Sequence, residues 1–329
     1  VVGVSAKRVN FARIILNNTL ECGFPKEHLY VIKDDQDSLD GVRCIPRISD
    51  APEPIDLLVV AAASEGIPQL LREAIECGTV ASIILIPGGM GETAGSRDLQ
   101  SQLRDSITAS RVSPGGGPVV LGGNCLGVRS RPGKYDTFFV PSEKLDPRRR
   151  EPCSPTAIIT QSGAFALTRL SNWDSINPAL AITIGNQLDL TAADLVLEVG
   201  RRADIHVLGV YMEGFNEGDG LSFVRAVQEA TSAGKLVVFY KAGRTAPGRS
   251  ATAGHTASIA GDYDVCLSAV AATGAIVVDT VKEFEQLLEI GTLLRDKSVR
   301  GRRIGVISNA GFEAVGMADA IQGARYELG

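Results

Sequence analysis

Aromatic residues are scarce in this sequence: they make up 5% of its 329 residues, and there are only one tryptophan and three histidines. No apolar run approaches the ~20 residues that a membrane-spanning helix needs, and no signal-type apolar core follows a basic start. The six cysteines are dispersed without CxxC spacing, so we expect neither a disulfide framework nor a metal site. These absences favour a cytoplasmic protein that does not bind a membrane.

A strong excess of one charge is missing too, since the formal net charge is -5. The protein therefore has no global field that would hold nucleic acid, although local basic groups could bind a phosphorylated ligand. Glycine is abundant at 36 residues, which favours an α/β fold with many tight strand-to-helix turns. At ~100 to 200 residues a domain, the length predicts two domains and part of a third. The chain opens inside what reads as a first strand, so we expect residues upstream of Val1.

Short apolar runs alternate with amphipathic segments along the first 128 residues, which is typical of βαβ units around a parallel sheet. Helical patterns cover residues 11–22 and 67–77. The predicted strands are 1–5, 28–32, 56–62, 81–87 and 118–123. We therefore predict one wound domain over 1–128.

Residues 129–155 have no clear periodicity and contain several prolines and the basic run 148–150, so they predict a linker whose basic run is a solvated loop. Alternation then restarts and ends with a helix at 281–294. Its predicted strands are 157–160, 179–184, 206–212, 235–242 and 275–279. This order indicates a flavodoxin-like domain over 156–296. One strand at 304–308 and one helix from Gly311 cannot bury a core, so 297–329 is predicted to be the truncated start of a third α/β domain.

The most informative segment is 241–261, which is rich in Gly, Ser and Thr and follows a buried-looking strand. It should lie at the carboxyl edge of the sheet, where open α/β folds bind ligands and glycines let backbone N–H groups approach an anion. His255 lies within it, next to Gly254. An imidazole can act as a nucleophile through one nitrogen while an acceptor holds the other. A lone histidine is more often structural or solvated, but this loop favours a site.

Two further strand ends are expected at the same edge. Glu213 could orient an imidazole or form a loop salt bridge. The run 161–163 (Gln-Ser-Gly) opens a helix whose amino terminus could bind phosphate, although Ser162 alone would be an ordinary cap. The loop 183–190 either contributes to the site or only shapes a turn.

In the first domain, Gly3, Ser5 and Lys7 lie at the first strand-to-helix turn, where a diphosphate would meet a helix terminus and a cation. They match the GxGxxG fingerprint poorly. Lys33 comes directly after the second strand, before any acidic residue, which argues against an NAD-dependent dehydrogenase.

Two later loops are also candidates for ligand contact. The glycine-rich run 87–92, with Gly88 and Glu92, could face a ligand or form only a turn. Cys125 follows Asn124 at the end of the fifth strand and has no histidine close in sequence. Packing or cofactor contact is therefore favoured over a nucleophilic role.

The segments 245–247 (Thr-Ala-Pro) and 254–261 resemble the phosphohistidine loop of the succinyl-CoA synthetase alpha subunit and of ADP-forming acetyl-CoA synthetases. Over nearly its whole length the chain is similar to the NDP-forming acyl-CoA synthetase family. The resemblance implies that His255 carries a phosphoryl group from an acyl phosphate to a nucleoside diphosphate and that Glu213 orients it. The phosphate-binding residues it implies are Gln161, Ser162, Gly163 and Gly254.

By the same resemblance, the first domain is a Rossmann-like CoA-binding domain and the second a succinyl-CoA synthetase-like flavodoxin domain. The implied cofactor contacts are Gly3, Ser5, Lys7, Lys33, Gly88, Glu92, Asn124 and Cys125. Two positions depart from the family pattern. Gly123 replaces the proline of a Gly-Pro-Asn-Cys motif, and 312–313 (Phe-Glu) replaces a Gly-Pro pair.

The implied reaction interconverts an acyl-CoA, phosphate and a nucleoside diphosphate with a small carboxylic acid, coenzyme A and the triphosphate. No ATP-grasp segment is visible, so we expect ATP or ADP and Mg²⁺ to bind a separate subunit or a downstream region, and we expect an oligomer. A non-catalytic regulator that binds coenzyme A or acyl-CoA is the alternative. The sequence does not set the acyl group, the choice of ADP or GDP, or the direction.

Overall fold

The computed structural model describes residues 1–91, 94–112, 115–145, 152–248, 263–298, 300–321 and 327–328. Glu92, Gly254 and His255 lie outside these ranges. The chain divides into two compact units, Val1–Leu293 and Leu294–Gly329. Within the described part of the chain, no helix has both the length and the apolar character needed to cross a bilayer.

The amino-terminal domain alternates short strands with helices. Its α-helices are α1 (Phe11–Glu21), α2 (Ile67–Cys77) and α3 (Arg97–Ser110). Its strands are β1 (Tyr30–Ile32), β2 (Ser38–Leu39), β3 (Val42–Ile45), β4 (Ile55–Val60), β5 (Val80–Leu85) and β6 (Val119–Gly122). Local signals set the helix ends: the Asn10 side chain accepts the Arg13 N–H at the start of α1, and Gly78 ends α2 with φ +66°.

Val2 joins the two halves of the first sheet. Strands β1, β3 and β2 form one half and β4, β5 and β6 the other, and Val2 bridges in parallel to Ile32 and Val60. The predicted strand at 1–5 is reduced to this bridge, because Gly3 adopts φ +95° and the chain leaves the extended path. The short hairpin of β2 and β3 is an addition that the apolar pattern did not predict.

The second domain carries the longer, more buried strands. Its α-helices are α4 (Gly163–Asn172), α5 (Ala192–Arg201), α6 (Asp219–Ser232), α7 (Tyr263–Ala272) and α8 (Val281–Leu293). Its strands are β7 (Val128–Ser130), β8 (Tyr135–Asp136), β9 (Ser154–Thr160), β10 (Pro178–Thr183), β11 (Val207–Met212), β12 (Leu236–Lys241) and β13 (Ile276–Val278).

The second sheet runs in the order β13-β12-β11-β9-β10-β7-β8. Strands β9 to β13 are parallel in the flavodoxin-like order, which confirms the predicted fold class of this domain. Strands β7 and β8 are antiparallel and come mainly from the predicted linker 129–155, so that segment is more than a linker. Their two or three residues are too short for a periodic signal, and pairing with the edge of β10 decides their conformation.

The two domains share one core. Val59 and Leu121 of the first sheet pack in the same cluster as Ile182, Ala192 and Val196 of the second domain. This shared core holds the two sheets in contact, so hydrogen bonds can form between loops of the two domains.

The unit Leu294–Gly329 is small. Strands β14 (Arg303–Ile304) and β15 (Glu327–Leu328) pair in parallel, and α9 (Gly311–Ala320) lies between them in sequence. The strand predicted at 304–308 is therefore shorter and begins one residue earlier, whereas the helix begins at Gly311 as predicted. That this unit opens a third domain stays a prediction.

Candidate functional site

The candidate site lies where β9 and β11 end side by side. From β9, the chain passes to β10 on one side and then returns to β11 on the other, so the carboxyl ends of β9 and β11 flank the topological switch point. Open α/β sheets bind their ligands at such points. Gln161 directly follows β9 and Glu213 directly follows β11, so the structure brings these two predicted site residues together.

The Gln161 side chain fixes the backbone after β11. Its Oε1 accepts the N–H groups of Glu213 and Gly214 at 2.8 and 2.9 Å. Because both partners are donors, the accepting atom is the amide oxygen, and the orientation of the amide is set by this network. The remaining Nε2 is buried and has no hydrogen-bond partner in the described chain, so one donor is left over.

The helix α4 begins immediately after Gln161. Ser162 caps it by accepting the Phe165 N–H at 3.3 Å, and the hydroxyl of Thr160 donates to the Ser162 carbonyl at 2.9 Å. A Cβ built on Gly163 would lie 3.0 Å from the Leu126 Cβ, so the glycine lets α4 start close to the first domain. Unpaired N–H groups and the positive end of the helix dipole make this terminus suitable for an anion.

Glu213 places a buried carboxylate at the same edge. Its Oε1 accepts the Tyr211 hydroxyl at 3.1 Å. Burial, followed by the neighbouring Glu213 charge, raises the pKa of Tyr211 above its usual range, so the phenol stays protonated and donates. The Glu213 carbonyl accepts a hydrogen bond from Lys241 Nζ at 2.7 Å.

The loop 183–190 also reaches this site. Gln187 adopts φ +52° and is buried; its Nε2 donates to the Gly214 carbonyl at 3.2 Å and its Oε1 accepts the Ala192 N–H at 3.2 Å. From the sequence, the loop 183–190 could either contribute to the site or only shape a turn, and Lys241 had no predicted role. The signal that could have identified Lys241 is a lysine placed directly at the end of a buried strand.

The same loop holds the first domain. The N–H groups of Asn186 and Leu188 donate to the carbonyls of Gly123 and Gly122 at 2.9 and 2.7 Å. Thr183 Oγ1 accepts the N–H groups of Leu126 and Gly127, each at 2.8 Å. The glycine motif at the end of β6 is therefore tied directly to the loop that carries Gln187.

The turn that carries Gly3, Ser5 and Lys7, which are predicted cofactor contacts, suits a ligand with several negative charges. A Cβ on Gly3 would approach the Ala61 carbonyl oxygen to 2.7 Å, so only glycine fits there. Ser5 Oγ accepts the N–H groups of Lys7 and Arg8 at 3.3 and 3.2 Å. In the described ranges neither Lys7 nor Arg8 forms an ion pair, and both are exposed before the amino terminus of α1. Exposed cations beside a helix amino terminus are groups that can bind a phosphorylated ligand.

The other predicted cofactor positions differ in exposure. Lys33 Nζ forms an ion pair with Asp35 at 3.0 Å. Gly88 and Asn124 are exposed, and Asn124 adopts φ +53°. Cys125 is buried, its Sγ donates to the Leu85 carbonyl at 3.4 Å, and burial raises its pKa to about 12. A thiol held protonated in this way packs and does not attack.

An apolar cavity lies apart from the candidate site. It has a volume of about 610 Å³ and lies between the first sheet and the second domain, lined among others by Leu57, Val119, Ile182 and Leu195. None of the described cofactor candidates lines it. Lys7, Gly88 and Asn124 are exposed, and we call their side of the first sheet the open edge. Among the described residues there is no cluster of three or more His, Cys, Asp or Glu side chains that could hold a metal ion.

The fold and the site define an α/β protein with a cofactor-binding domain before a ligase-type flavodoxin domain. The model of the CoA binding domain family matches residues 1–131, and the model of the succinyl-CoA ligase like flavodoxin domain matches residues 153–291. The chain belongs to the NDP-forming acyl-CoA synthetase family.

Relatives and solved structures agree with this assignment. The chain is 28% identical to the alpha subunit of acetate–CoA ligase [ADP-forming] I from Pyrococcus furiosus, covering 98% of this chain and 67% of that protein. It is 26% identical to the alpha subunit of ligase II from the same organism, covering 89% and 60%. Acetyl-coenzyme A synthetase 1 of Ca. Korarchaeum cryptofilum superposes with a TM-score of 0.83 at 26% identity, covering 97% and 65%. The chain thus spans between 60% and 67% of these proteins.

Proposed function

We propose that this chain is the CoA-binding and phosphoryl-carrying part of an NDP-forming acyl-CoA synthetase. The observation that carries the proposal is the Gln161–Glu213 contact at the switch point of the second sheet, beside the amino terminus of α4. A fixed carboxylate and a helix terminus are the two groups that a phosphorylated imidazole requires. His255 lies outside the described residues, so its part rests on the sequence.

The reaction proceeds in three steps. Inorganic phosphate attacks the thioester carbonyl of an acyl-CoA, the C–S bond breaks, and the coenzyme A thiolate leaves and takes a proton. A ring nitrogen of His255 then attacks the phosphorus of the acyl phosphate; an N–P bond forms, and the P–O bond to the acyl group breaks to release the carboxylate. The phosphoryl group finally passes to a nucleoside diphosphate, which restores the imidazole.

The described residues have distinct parts in this scheme. The carboxylate of Glu213 accepts the N–H of the ring nitrogen that does not react, which fixes the tautomer and stabilises the charged imidazole. Gln161 Nε2 and the first-turn N–H groups at Ser162 and Gly163 donate to the phosphoryl oxygens. Gly254, next to His255, completes this phosphate site.

The first domain binds coenzyme A as a substrate. Lys7 and Lys33 hold its phosphates, and the loops at Gly88, Glu92 and Asn124 face its pantetheine arm, with Cys125 packed beneath. Since the nucleotide and Mg²⁺ need a site of their own, an ATP-grasp domain or subunit binds them. The protein acts in the cytoplasm as an oligomer on a small carboxylic acid.

The test is phosphorylation of the complete protein together with its ATP-grasp part. Incubation with γ-labelled ATP and Mg²⁺ is expected to give an acid-labile, base-stable label that disappears in His255→Ala. His28→Ala is the control, since His28 is exposed and paired with Glu53 at 2.9 Å, and it should keep the label. Absence of label in the folded wild type, or its persistence in His255→Ala, would contradict the proposal and favour a regulator.

A further inference from the structure

Lys241 is a buried lysine that the proposed mechanism does not yet use. It is the last residue of β12 and pairs in register with Met212 at the end of β11, next to Glu213. Its side chain is 4% exposed. Its Nζ donates to the carbonyls of Glu213 at 2.7 Å and Ala242 at 3.0 Å.

Both described partners of this ammonium are neutral. In the part of the chain that the structure describes, Lys241 forms no ion pair. Burial lowers its pKa, and the nearby Cys266 and Glu213 side chains, which act in the opposite direction, only partly offset that effect. Burying a charged group that is held by carbonyl groups alone costs free energy. Such a lysine is therefore expected where a functional site uses its charge.

Three side chains hold the corner formed by Glu213 and Gly214. Gln161 accepts both N–H groups, Gln187 donates to the Gly214 carbonyl and Lys241 donates to the Glu213 carbonyl. Every backbone polar group of the corner is therefore bonded to a side chain from another element. Lys241 is the charged member of the three.

We infer that Lys241 is a positioning residue for phosphoryl transfer, which fixes the backbone of Glu213 and supplies the buried positive charge that the phosphorylated site needs. The inference rests on the proposed function. A phosphoryl group brings about −1.5 to −2 charges beside the Glu213 carboxylate. A desolvated ammonium offsets that charge more strongly than one in water, because the local dielectric constant is low.

The chain offers a matched control in Lys235, which precedes β12. Its Nζ also donates to two carbonyls, those of Arg202 at 2.7 Å and Ile205 at 2.6 Å. It therefore makes the same kind of contact at the amino end of β12, whereas Lys241 lies at the carboxyl end. Lys235 is only partly buried whereas Lys241 is fully buried, so the pair compares the same kind of contact with and without a fully buried charge.

The experiment uses the complete protein with its ATP-grasp part and follows the rate and final level of acid-labile label from γ-labelled ATP. Lys241→Gln keeps an N–H donor but removes the charge, and it is expected to slow labelling ~10- to 100-fold and lower its final level. Lys241→Arg should recover most of the rate because it restores the charge. Lys235→Gln should label within about 2-fold of the wild type, as expected for a site away from the chemistry.

The outcomes separate the two proposals. Wild-type labelling by a folded Lys241→Gln, or an equal loss in Lys235→Gln, would overturn the role of Lys241 while leaving the proposed function intact. If Lys241→Gln does not fold, a folded Lys241→Arg that labels at less than about a tenth of the wild-type rate would also overturn it, because the charge would be present without its effect. A wild type that never labels at His255 would overturn the proposed function, and the inference with it.

Discussion

The two candidate edges of the molecule are built differently. At the second sheet, Gln161, Gln187, Glu213 and Lys241 are each no more than 6% exposed, and all four are connected by hydrogen bonds around one backbone corner. At the first sheet, Lys7, Gly88 and Asn124 lie exposed on open loops. The difference suits the two proposed roles: groups that act on a reacting atom have to be held before the reaction, whereas groups that bind a long flexible ligand can become ordered with it.

The loop 183–190 is where the two edges meet. Asn186 and Leu188 donate to the carbonyls of Gly123 and Gly122, while Gln187 between them bonds to Gly214. A ligand that orders the first edge therefore acts on a segment that also contacts the second. If the second edge is rigid and the first is open, substitutions at the second edge should have the larger effects.

Glu213→Gln should damage the rigid edge most. The amide keeps the size of the side chain but cannot stabilise an imidazolium, so phosphorylation by labelled ATP in the complete protein is expected to slow by ~10²- to 10⁴-fold. Rapid-quench measurement of the acid-labile label gives the rate. Glu198→Gln is the control, because Glu198 is exposed on α5 and only pairs with Arg201 at 3.1 Å. Similar rates for the two variants would mean that Glu213 only shapes its loop.

Thr183→Val should weaken the junction between the edges. The substitution keeps the shape but leaves the buried N–H groups of Leu126 and Gly127 without their acceptor, at a cost of ~2 to 4 kcal/mol in the free energy of unfolding. Urea unfolding measures the change. Thr108→Val, whose exposed hydroxyl only bonds to the Arg104 carbonyl within α3, should stay within ~0.5 kcal/mol. Equal effects would show that the junction contributes little.

The sequence predicted the second edge better than the first. The strands β9 to β13 are apolar and separated by amphipathic helices, so their positions and the residues that follow them, Gln161 and Glu213, could be read from periodicity. The hydrogen-bond partners of these residues on other loops could not be read in this way. Nothing in the sequence places Gln187 against Gly214 or Lys241 against Glu213, because these contacts depend on how separate loops meet.

Two short segments, 1–5 in the first domain and 128–136 in the second, show the opposite balance. Val1 and Val2 read as a strand, yet the positive φ of Gly3 ends the extended path, so that only Val2 bridges to its neighbours Ile32 and Val60. The strands β7 and β8 lie in what reads as a proline-rich linker, because short edge strands depend on tertiary pairing. In both cases the chain turns at a residue with positive φ, Gly3 in the first and Lys134 in the second, and that backbone conformation cannot be read from the sequence alone.

Cys125 should give the open edge a measurable pH dependence. Its pKa is about 12 in the folded chain against 9.0 for an ordinary thiol, so above pH 9 the unfolded chain loses a proton that the folded chain keeps. The free energy of unfolding should therefore fall as the pH rises from 9 towards 12, by ~1 kcal/mol between pH 9 and 10 relative to Cys125→Ala. Chemical unfolding at the two pH values measures the difference. Parallel curves would mean that the thiol is accessible to water.

Lys33→Ala should have the smallest effect, since an open edge divides its ligand contacts among several exposed groups. Lys33 is paired with Asp35 at 3.0 Å and must exchange that partner for a phosphate, so its loss should weaken coenzyme A binding by only ~3- to 10-fold. Asp35→Asn is the matched variant: it frees the lysine and should tighten binding by about 2-fold. Calorimetric titration of the chain with coenzyme A at 0.05 and 0.2 M salt would measure both, and the difference should shrink at the higher salt. A loss above 100-fold in Lys33→Ala would place a rigid, dominant contact at the first edge, and the contrast between the two edges would no longer hold.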